Sequence, residues 1–222
     1  MSRLGVFGGT FNPVHTGHLR AAEEVAEALG LERVLLVPSA QPPHKDGDDD
    51  DPVAPAGQRL AWVEAACDGN PRLAASALEI ERGGASYTVD TLRELAAAEG
   101  GLRPVFVIGA DAFRELDSWR QPKQLFALAD FAVIARPGTP GDLADWIPDA
   151  MRDDFDLDPS GRAAFHRASR GRVDSVPISA LAISSSDVRA RARAGRSIRY
   201  LVPEAVRHDI EASRVYAAPA AR

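Results

Sequence analysis

Two histidines, His15 and His18, lie three residues apart shortly after the glycine pair Gly8 and Gly9. A short apolar run precedes the glycines and a helical pattern follows the second histidine, which predicts a strand, a glycine turn and a helix start. The first turn of a helix carries unpaired backbone N–H groups and a partial positive charge, which together attract phosphate. Imidazoles at the same point can hydrogen-bond phosphate oxygens. The spacing therefore predicts a site that binds and splits a nucleoside triphosphate.

The turn differs from the two best-known phosphate-binding loops. It has neither the G-x-G-x-x-G spacing of a dinucleotide-binding turn nor the Gly-Lys-Ser/Thr of a P-loop. Gly17 has no side chain, so a phosphate could approach the backbone there, and Thr16 is predicted to cap the helix. The alternatives are a glycine turn with incidental surface histidines and a zinc site of His15, His18 and His44. Zinc is disfavoured because no pattern of carboxylates accompanies these histidines.

A second cluster follows the last predicted strand, in the sequence ISSSDVR at 183–189. Ser184 and Asp187 match a capping box, which predicts a helix that begins here and is ended by Gly195. The hydroxyls of Ser184 and Ser185, together with Arg189, could bind a polyphosphate at this second helix start. The alternative is a well-capped surface helix with a basic face. Because the first cluster also predicts phosphate binding, we favour a shared phosphate site.

Two further polar segments each follow a predicted strand. His44 and Lys45 end a proline-stiffened loop and could bind a second phosphate, the alternative being a rigid polar turn. Asp111 follows a later strand, where it could cap a helix. Trp119 could pack in the core or stack on a planar ring.

Strand-like and helix-like segments alternate along the chain and would position these clusters. This alternation predicts a parallel sheet covered on both faces by helices. Ligands of such sheets bind beyond the carboxyl ends of the strands, where the glycine turn falls. The strands are predicted at Leu4–Phe7, Val34–Val37, Val105–Ile108, Phe131–Ala135 and Val173–Ile178, and the helices at Leu19–Leu29, Gln58–Cys67, Thr88–Glu99 and, as a pair, Asp111–Leu128.

Length and composition limit the remaining possibilities. With 222 residues, we expect a single domain spanning 1–222. A net charge of −6 argues against a nucleic-acid or membrane partner, and one cysteine excludes a disulfide framework. A cytoplasmic protein is expected, because no apolar run spans a membrane and the early first strand leaves no room for a signal peptide. The acidic composition of residues 46–57 predicts a mobile loop. Residues 138–172 are expected to form an ordered excursion that contains short helices, with no assigned role.

Taken in order, these segments resemble the bacterial nicotinate-nucleotide adenylyltransferases, within the nucleotidyltransferase superfamily that carries the His-x-Gly-His turn. The resemblance implies a Rossmann-like α/β fold, a doubly wound parallel sheet with helices on both faces. The segments that carry it are GGTFNPVHTGH at 8–18, PPHK at 42–45, SYT at 86–88, IGAD at 108–111, SW at 118–119, ARPG at 135–138 and ISSSDVR at 183–189.

The resemblance also implies a reaction. ATP and nicotinate mononucleotide would give nicotinate adenine dinucleotide and pyrophosphate in NAD biosynthesis. The expected cofactor is a divalent cation, usually Mg²⁺, which the ATP phosphates would carry without a protein side chain as an assigned ligand. The 5′-phosphate of the mononucleotide would attack the α-phosphorus of ATP directly, with no covalent protein intermediate and no general base.

Individual residues take their expected roles from the same resemblance. The catalytic residues would be His15, His18 and Arg189. The residues expected to bind ATP are Gly9, Thr10, Phe11, His15, His18, Gly109, Asp111, Ile183, Ser184, Ser185 and Arg189. Those expected to bind the mononucleotide are Thr10, His44, Lys45, Thr88, Trp119 and Arg136, of which Thr88 and Trp119 would frame the nicotinate ring.

Two other functions remain open at this point. One is another small nucleotidyltransferase, of the phosphopantetheine adenylyltransferase or cytidylyltransferase type, which would leave PPHK and the Ser118-Trp119 pair unexplained. The other is a nucleotide-binding regulator without turnover, which the two histidines and Arg189 argue against. The sequence leaves the oligomeric state open, and a homo-oligomer is compatible with it.

Overall fold

A computed structural model of the chain describes residues 3–42, 53–98, 100–135, 138–179 and 181–217. Its strands are β1 (Leu4–Gly9), β2 (Arg33–Pro38), β3 (Leu73–Ala75), β4 (Val105–Gly109), β5 (Asp130–Ala135), β6 (Phe155–Leu157), β7 (Ala163–His166) and β8 (Arg172–Pro177). Its helices are α1 (Thr16–Leu29), α2 (Ala56–Cys67), α3 (Leu78–Arg82), α4 (Thr88–Ala98), α5 (Ala110–Arg114), α6 (Pro122–Leu128), α7 (Leu143–Trp146), α8 (Ser185–Arg193) and α9 (Glu204–Ser213), with 3₁₀ turns at Leu116–Ser118 and Asp149–Asp154.

The described strands form an eight-stranded sheet in the order β3-β2-β1-β4-β5-β8-β7-β6. Strands β1, β4, β5 and β8 run parallel, with Phe7 opposite Val107 and Phe131 opposite both Phe106 and Val173. Val105–Ile108 is buried throughout, as expected for a strand covered on both faces. The prediction of a Rossmann-like, doubly wound α/β fold is confirmed.

One edge of the sheet differs from the prediction, because β6 and β7 form an antiparallel hairpin that pairs with β8. This hairpin lies in the excursion 138–172, for which only short helices were predicted. The strands have three and four residues, too few to show an alternating pattern. Asp158 shapes their turn, because one carboxylate oxygen accepts the backbone N–H groups of Arg162 (3.0 Å) and Ala163 (3.1 Å).

Other predicted boundaries also shift. The predicted acidic loop at 46–57 lies mostly outside the described residues, and its last two residues, Ala56 and Gly57, already begin α2. Glu99, the predicted end of α4, also lies outside them. The sequence patterns missed β3, α3 and α9. No helix in the described ranges combines the length and apolar character needed to cross a bilayer.

Contacts divide the chain into two compact units. The first, which we call the sheet unit, comprises 1–8, 21–35 and 87–180, and its core contains a cluster of Phe113, Phe126 and Phe131. The second, the turn unit, comprises 9–20, 36–86 and 181–222 and includes the glycine turn, α2, α8 and α9. The expectation of one domain over 1–222 stays a prediction.

Candidate active site

The start of α1 lies in the turn unit, and it is capped differently from the prediction. Helix α1 begins at Thr16, three residues before the predicted Leu19. The predicted cap, Thr16, does not cap the helix. His15 does so instead: its carbonyl oxygen and its ring Nδ1 accept the backbone N–H of His18, at 2.9 and 3.3 Å. Thr16 instead donates its N–H and its hydroxyl to the carbonyl oxygen of Leu201, at 2.9 and 3.0 Å. A contact between residues 185 positions apart therefore fixes this helix start.

The two histidine rings stack on each other. Their centroids are 3.6 Å apart and their planes meet at 21°. Each ring accepts a backbone N–H at Nδ1: His15 N–H donates to the His18 ring at 3.2 Å, and His18 N–H donates to the His15 ring. A neutral imidazole that accepts at Nδ1 carries its proton on Nε2. Both Nε2 atoms are thereby set as hydrogen-bond donors, the role that phosphate binding requires.

Small residues leave room for these rings. A Cβ atom on Gly17 would lie 3.1 Å from two atoms of the His15 ring. A Cβ on Gly9 would lie 3.3 Å from the ring of Phe11, which is buried and meets the His18 ring edge to face at 5.1 Å. Phe11 itself has φ = 47°, a left-handed conformation that is uncommon for a residue with a side chain. The sequence GGTF therefore packs the turn against the histidine pair.

The second cluster begins helix α8, as predicted. Ser184 caps the helix and accepts the backbone N–H of Asp187 at 3.0 Å. Ser185 donates its hydroxyl to the carbonyl oxygen of Pro13 at 2.9 Å, and the Arg189 guanidinium donates to the carbonyl oxygen of Asn12 at 2.6 Å. The structure thus joins the two helix starts that the sequence predicted to share a ligand. The assigned roles of these residues toward phosphate stay predictions.

Arg189 also has a structural role that the sequence did not reveal. Its side chain is 2% exposed and lies across the turn rather than in solvent. In addition to the bond to Asn12, its Nη2 atom donates to the hydroxyl of Ser186 at 3.2 Å. Any contact of Arg189 with phosphate would therefore come from a guanidinium that also holds the turn against α8.

Sequence reasoning missed Arg59, a buried cation that ties the turn unit together. From α2, its guanidinium donates to the carbonyl oxygens of Ala54 (2.9 Å), Thr10 (2.7 Å), Ser39 (2.6 Å) and Ala40 (3.1 Å). Burial lowers its pKa below the ordinary value, while Tyr216 and Glu79 act in the opposite direction. The sequence does contain a signal that Arg59 is buried. It lies three residues before Trp62 and four before Val63, both buried, and residues at these spacings share one face of a helix.

Asn12 and Tyr216 form another connection that the sequence patterns did not indicate. Asn12 is buried, and its Oδ1 atom accepts from the hydroxyl of Tyr216 at 2.6 Å and from the backbone N–H of Ala54 at 3.0 Å. Since the Asn12 carbonyl oxygen also accepts from Arg189, one residue links the turn to three other segments of the turn unit.

Four of the predicted binding residues that the structure describes lie in the sheet unit. Gly109 ends β4, and a Cβ atom there would meet nothing within 4 Å. The Asp111 side chain is 93% exposed and pairs with Arg114 at 3.2 Å; Gly109, not Asp111, is the N-cap of α5. Thr88 begins α4, and Trp119 is half-buried with its ring 6.4 Å from that of Phe106.

The remaining predicted residues divide between the turn unit and segments outside the described residues. Ile183 is half-buried directly before the capped start of α8, and Thr10 contributes its carbonyl oxygen to Arg59. His44, Lys45 and Arg136 lie outside the described residues.

Comparison with known proteins adds a family assignment to this geometry. A family model described as "Cytidylyltransferase-like" matches residues 6–191. Two relatives named "Probable nicotinate-nucleotide adenylyltransferase" match over nearly their whole length. The one from Citrifermentans bemidjiense is 41% identical and covers 96% of this chain and 98% of its own. The one from Symbiobacterium thermophilum is 42% identical, with coverage of 97% and 96%.

Solved structures agree with the fold. Two structures of Plasmodium falciparum nicotinic acid mononucleotide adenylyltransferase superpose with a TM-score of 0.69 and cover 97% of this chain and 98% of theirs. One of them is a complex with NaAD and the other a complex with APC. Their sequence identities of 15% and 14% limit the comparison to the fold.

Proposed function

Because the chain belongs to the nicotinate-nucleotide adenylyltransferase family of cytidylyltransferase-like proteins, we propose that it transfers the AMP moiety of ATP to nicotinate mononucleotide. The products are nicotinate adenine dinucleotide and pyrophosphate, a step of NAD biosynthesis. Both relatives described above are named as nicotinate-nucleotide adenylyltransferases, and this chain matches nearly their whole length. This match favours nicotinate mononucleotide over the substrates of other small nucleotidyltransferases.

The observation that carries the proposal is the direct connection between the two helix starts. Ser185 and Arg189 of α8 donate to the carbonyl oxygens of Pro13 and Asn12, which lie two and three residues before His15. Each helix start brings partial positive charge and backbone N–H groups. Together they form one concentrated anion site in a chain whose net charge is −6. Such a site suits a triphosphate.

The histidines supply the charge stabilisation in the proposed reaction. The tautomer fixed by the bonds at Nδ1 lets His15 and His18 donate from Nε2 to phosphate oxygens of ATP. These bonds strengthen as negative charge moves onto the departing pyrophosphate. Gly9, Thr10 and Phe11 shape the turn around the nucleotide.

The chemical step itself needs no proton transfer to the protein. An oxygen of the mononucleotide 5′-phosphate attacks the α-phosphorus of ATP, and a new P–O bond forms. The bond from the α-phosphorus to the bridging oxygen breaks, and its electron pair leaves with pyrophosphate. Since the attacking phosphate is already an anion, the protein contributes alignment and charge stabilisation rather than a base.

The remaining predicted residues are assigned to the adenosine part of ATP and to the mononucleotide. In the sheet unit, Gly109 and Asp111 are assigned to the adenosine part of ATP. In the turn unit, Ile183 and Ser184 are assigned to ATP. Thr88 and Trp119 frame the nicotinate ring, and the open space beside Gly109 is consistent with close approach of a ligand there. His44, Lys45 and Arg136 engage the mononucleotide phosphate.

We assign Mg²⁺ as the cation that accompanies ATP. When bound to the phosphates, it neutralises part of their charge and polarises the reacting phosphorus. Among the described residues, no group of three or more His, Cys, Asp and Glu is arranged to hold a metal ion.

Identification of the product tests the proposed function. The chain is incubated with ATP, Mg²⁺ and either nicotinate or nicotinamide mononucleotide, and the dinucleotide is identified by mass. We expect nicotinate adenine dinucleotide and pyrophosphate in equal amounts. In the folded His18→Ala variant, kcat should fall by roughly 10²–10³, the usual effect of losing one such donor. Absence of dinucleotide with both mononucleotides, or a His18→Ala kcat within about threefold of the parent, would contradict the proposal.

A further inference from the structure

A cluster of charged and aromatic side chains lies at the start of α4 in the sheet unit. Tyr87 directly precedes this helix, and its carbonyl oxygen accepts the backbone N–H of Asp90 at 3.0 Å. Asp90 supplies a carboxylate in the first turn of the helix. Arg120, which directly follows Trp119, reaches the same helix start from another segment of the chain. The cluster therefore joins the beginning of α4 to the segment that contains Trp119.

Two contacts fix the guanidinium of Arg120 at this helix start. Its Cζ atom lies 4.6 Å from the centroid of the Tyr87 ring, the arrangement of a cation–π contact. Its Nη1 atom lies 3.6 Å from Oδ2 of Asp90, a distance that forms an ion pair but is too long for a hydrogen bond. The side chain is 51% exposed, so its charge stays accessible to a ligand.

Asp90 does not cancel the charge of Arg120, because a second arginine shares this carboxylate. Arg93 donates to Oδ1 of Asp90 at 3.2 Å, which is closer than the approach of Arg120. Arg93 also donates to the side-chain oxygens of Gln121 and Gln124. The three charged side chains thus comprise two cations and one anion, and together they keep a net positive charge.

The backbone on both sides of Arg120 is anchored. Trp119 is half-buried, and its ring meets that of Phe106 edge to face at 6.4 Å. Gln121 has φ = 53°, a left-handed conformation that is uncommon for a residue with a side chain, and its carbonyl oxygen accepts the backbone N–H of Gln124 at 3.0 Å. Because the flanking residues are fixed, the position of Arg120 over Tyr87 requires little further ordering.

The proposed substrate brings a negative group to this region. Thr88 and Trp119 are assigned to the nicotinate ring, and Arg120 is adjacent in sequence to Trp119 and packs on the residue before Thr88. Nicotinate carries a carboxylate where nicotinamide carries an uncharged amide, and the two mononucleotides are otherwise the same. A fixed positive charge beside the ring therefore favours the acid over the amide.

We propose that Arg120 is a specificity-determining residue that selects nicotinate mononucleotide over nicotinamide mononucleotide. This inference rests on the proposed function and adds the group that distinguishes the two substrates. The guanidinium acts on the carboxylate through its charge, and the Tyr87 ring holds it in position. Because water screens a half-exposed charge, we expect a contribution of about fivefold to the preference for the acid.

A purely structural role for Arg120 leads to a different result. Its stack on Tyr87 could serve only to hold the start of α4 in place. In that case Arg120→Gln would lower kcat/KM for both mononucleotides by the same factor. Selection by charge instead changes the ratio of the two kcat/KM values, which we call the acid-to-amide ratio.

Initial rates with each mononucleotide at saturating ATP give this ratio, and the parent should favour the acid. Arg120→Gln should lower the acid-to-amide ratio about fivefold, mainly through a higher KM for the acid. Arg120→Lys keeps the charge and should stay within about twofold of the parent. Asp90→Asn removes the competing carboxylate and should raise the ratio. Arg162→Gln removes the same charge from an exposed position in the turn between β6 and β7 and should leave the ratio unchanged.

The calorimetric Kd values of the two mononucleotides give a corresponding ratio without turnover. The inference is overturned if the parent shows no preference for the acid, or if the folded Arg120→Gln variant keeps the parent ratio. It is also overturned if Asp90→Asn lowers the ratio, or if Arg162→Gln lowers it as much as Arg120→Gln does. Absence of dinucleotide from the parent would contradict the proposed function instead, and the ratio of Kd values would still test the role of Arg120.

Discussion

Replacement of Arg59 by methionine should destabilise the protein strongly, although this residue has no assigned chemical role. The guanidinium is 1% exposed and donates to four backbone carbonyl oxygens, two of which belong to Ser39 and Ala40 after β2 and one to Thr10 in the glycine turn. Methionine fills a similar volume but donates nothing. The variant therefore leaves these carbonyl oxygens without their donor.

The expected magnitude follows from the four lost bonds. An unsatisfied buried polar group costs about 1–3 kcal/mol, so four carbonyls at the lower figure give roughly 4 kcal/mol. The guanidinium no longer has to be desolvated, which offsets part of this loss. We expect the free energy of unfolding to fall by about 3 kcal/mol. For a natural domain with a total of about 5–15 kcal/mol, this is a large fraction.

Urea unfolding followed by tryptophan fluorescence provides the measurement. Trp62 lies one helical turn from Arg59 on α2 and is buried, so its emission reports on this region. Arg59→Lys keeps the charge but loses the planar fork and should lie between the parent and Arg59→Met. Arg33→Met, at an exposed position, should change the free energy of unfolding by less than about 0.5 kcal/mol. An Arg59→Met loss below about 1 kcal/mol would refute the reasoning.

Two further predictions concern Gly17 and Cys67. Gly17→Ala should lower kcat at least roughly tenfold, because the new Cβ would lie 3.1 Å from the His15 ring and displace it. The free energy of unfolding should stay within about 1 kcal/mol of the parent, because alanine favours the helix more than glycine does. Gly57→Ala, at a helical position with nothing within 4 Å of its Cβ, should keep full activity, and an equal loss in both variants would contradict this explanation. Burial raises the pKa of Cys67 from 9.0 to about 11, so between these values the unfolded chain ionises while the folded one does not. The free energy of unfolding should therefore fall by about 2 kcal/mol as the pH rises through this window, and Cys67→Ala should remove that part of the decline. Urea titrations of both proteins at about pH 8 and pH 11 check this, and identical pH dependence would count against it.

Local sequence signals predicted the elements that carry the candidate site. Gly8 and Gly9 between an apolar run and a helical pattern indicated the turn, and Ser184 with Asp187 indicated the start of α8. These features are readable because each depends on residues within one turn or one strand. The parallel sheet followed from the near-continuous apolar strands.

Contacts between distant residues could not be predicted in the same way. Thr16 has the chemistry of a cap, yet its hydroxyl donates to Leu201, 185 positions away. No local pattern encodes that partner. Tyr216 likewise bonds to Asn12 across 204 positions. Arg59 shows the reverse case, because its place on the apolar face of α2 was visible but its four carbonyl partners were not.

A crystal structure with a non-hydrolysable ATP analogue tests the central claim most directly. The claim is that the histidine turn and the start of α8 bind the same triphosphate. We expect phosphate oxygens within about 3.2 Å of Nε2 of His15 or His18, and of the backbone N–H or hydroxyl of Ser185. A triphosphate bound to only one of these helix starts, or elsewhere on the chain, would contradict the account.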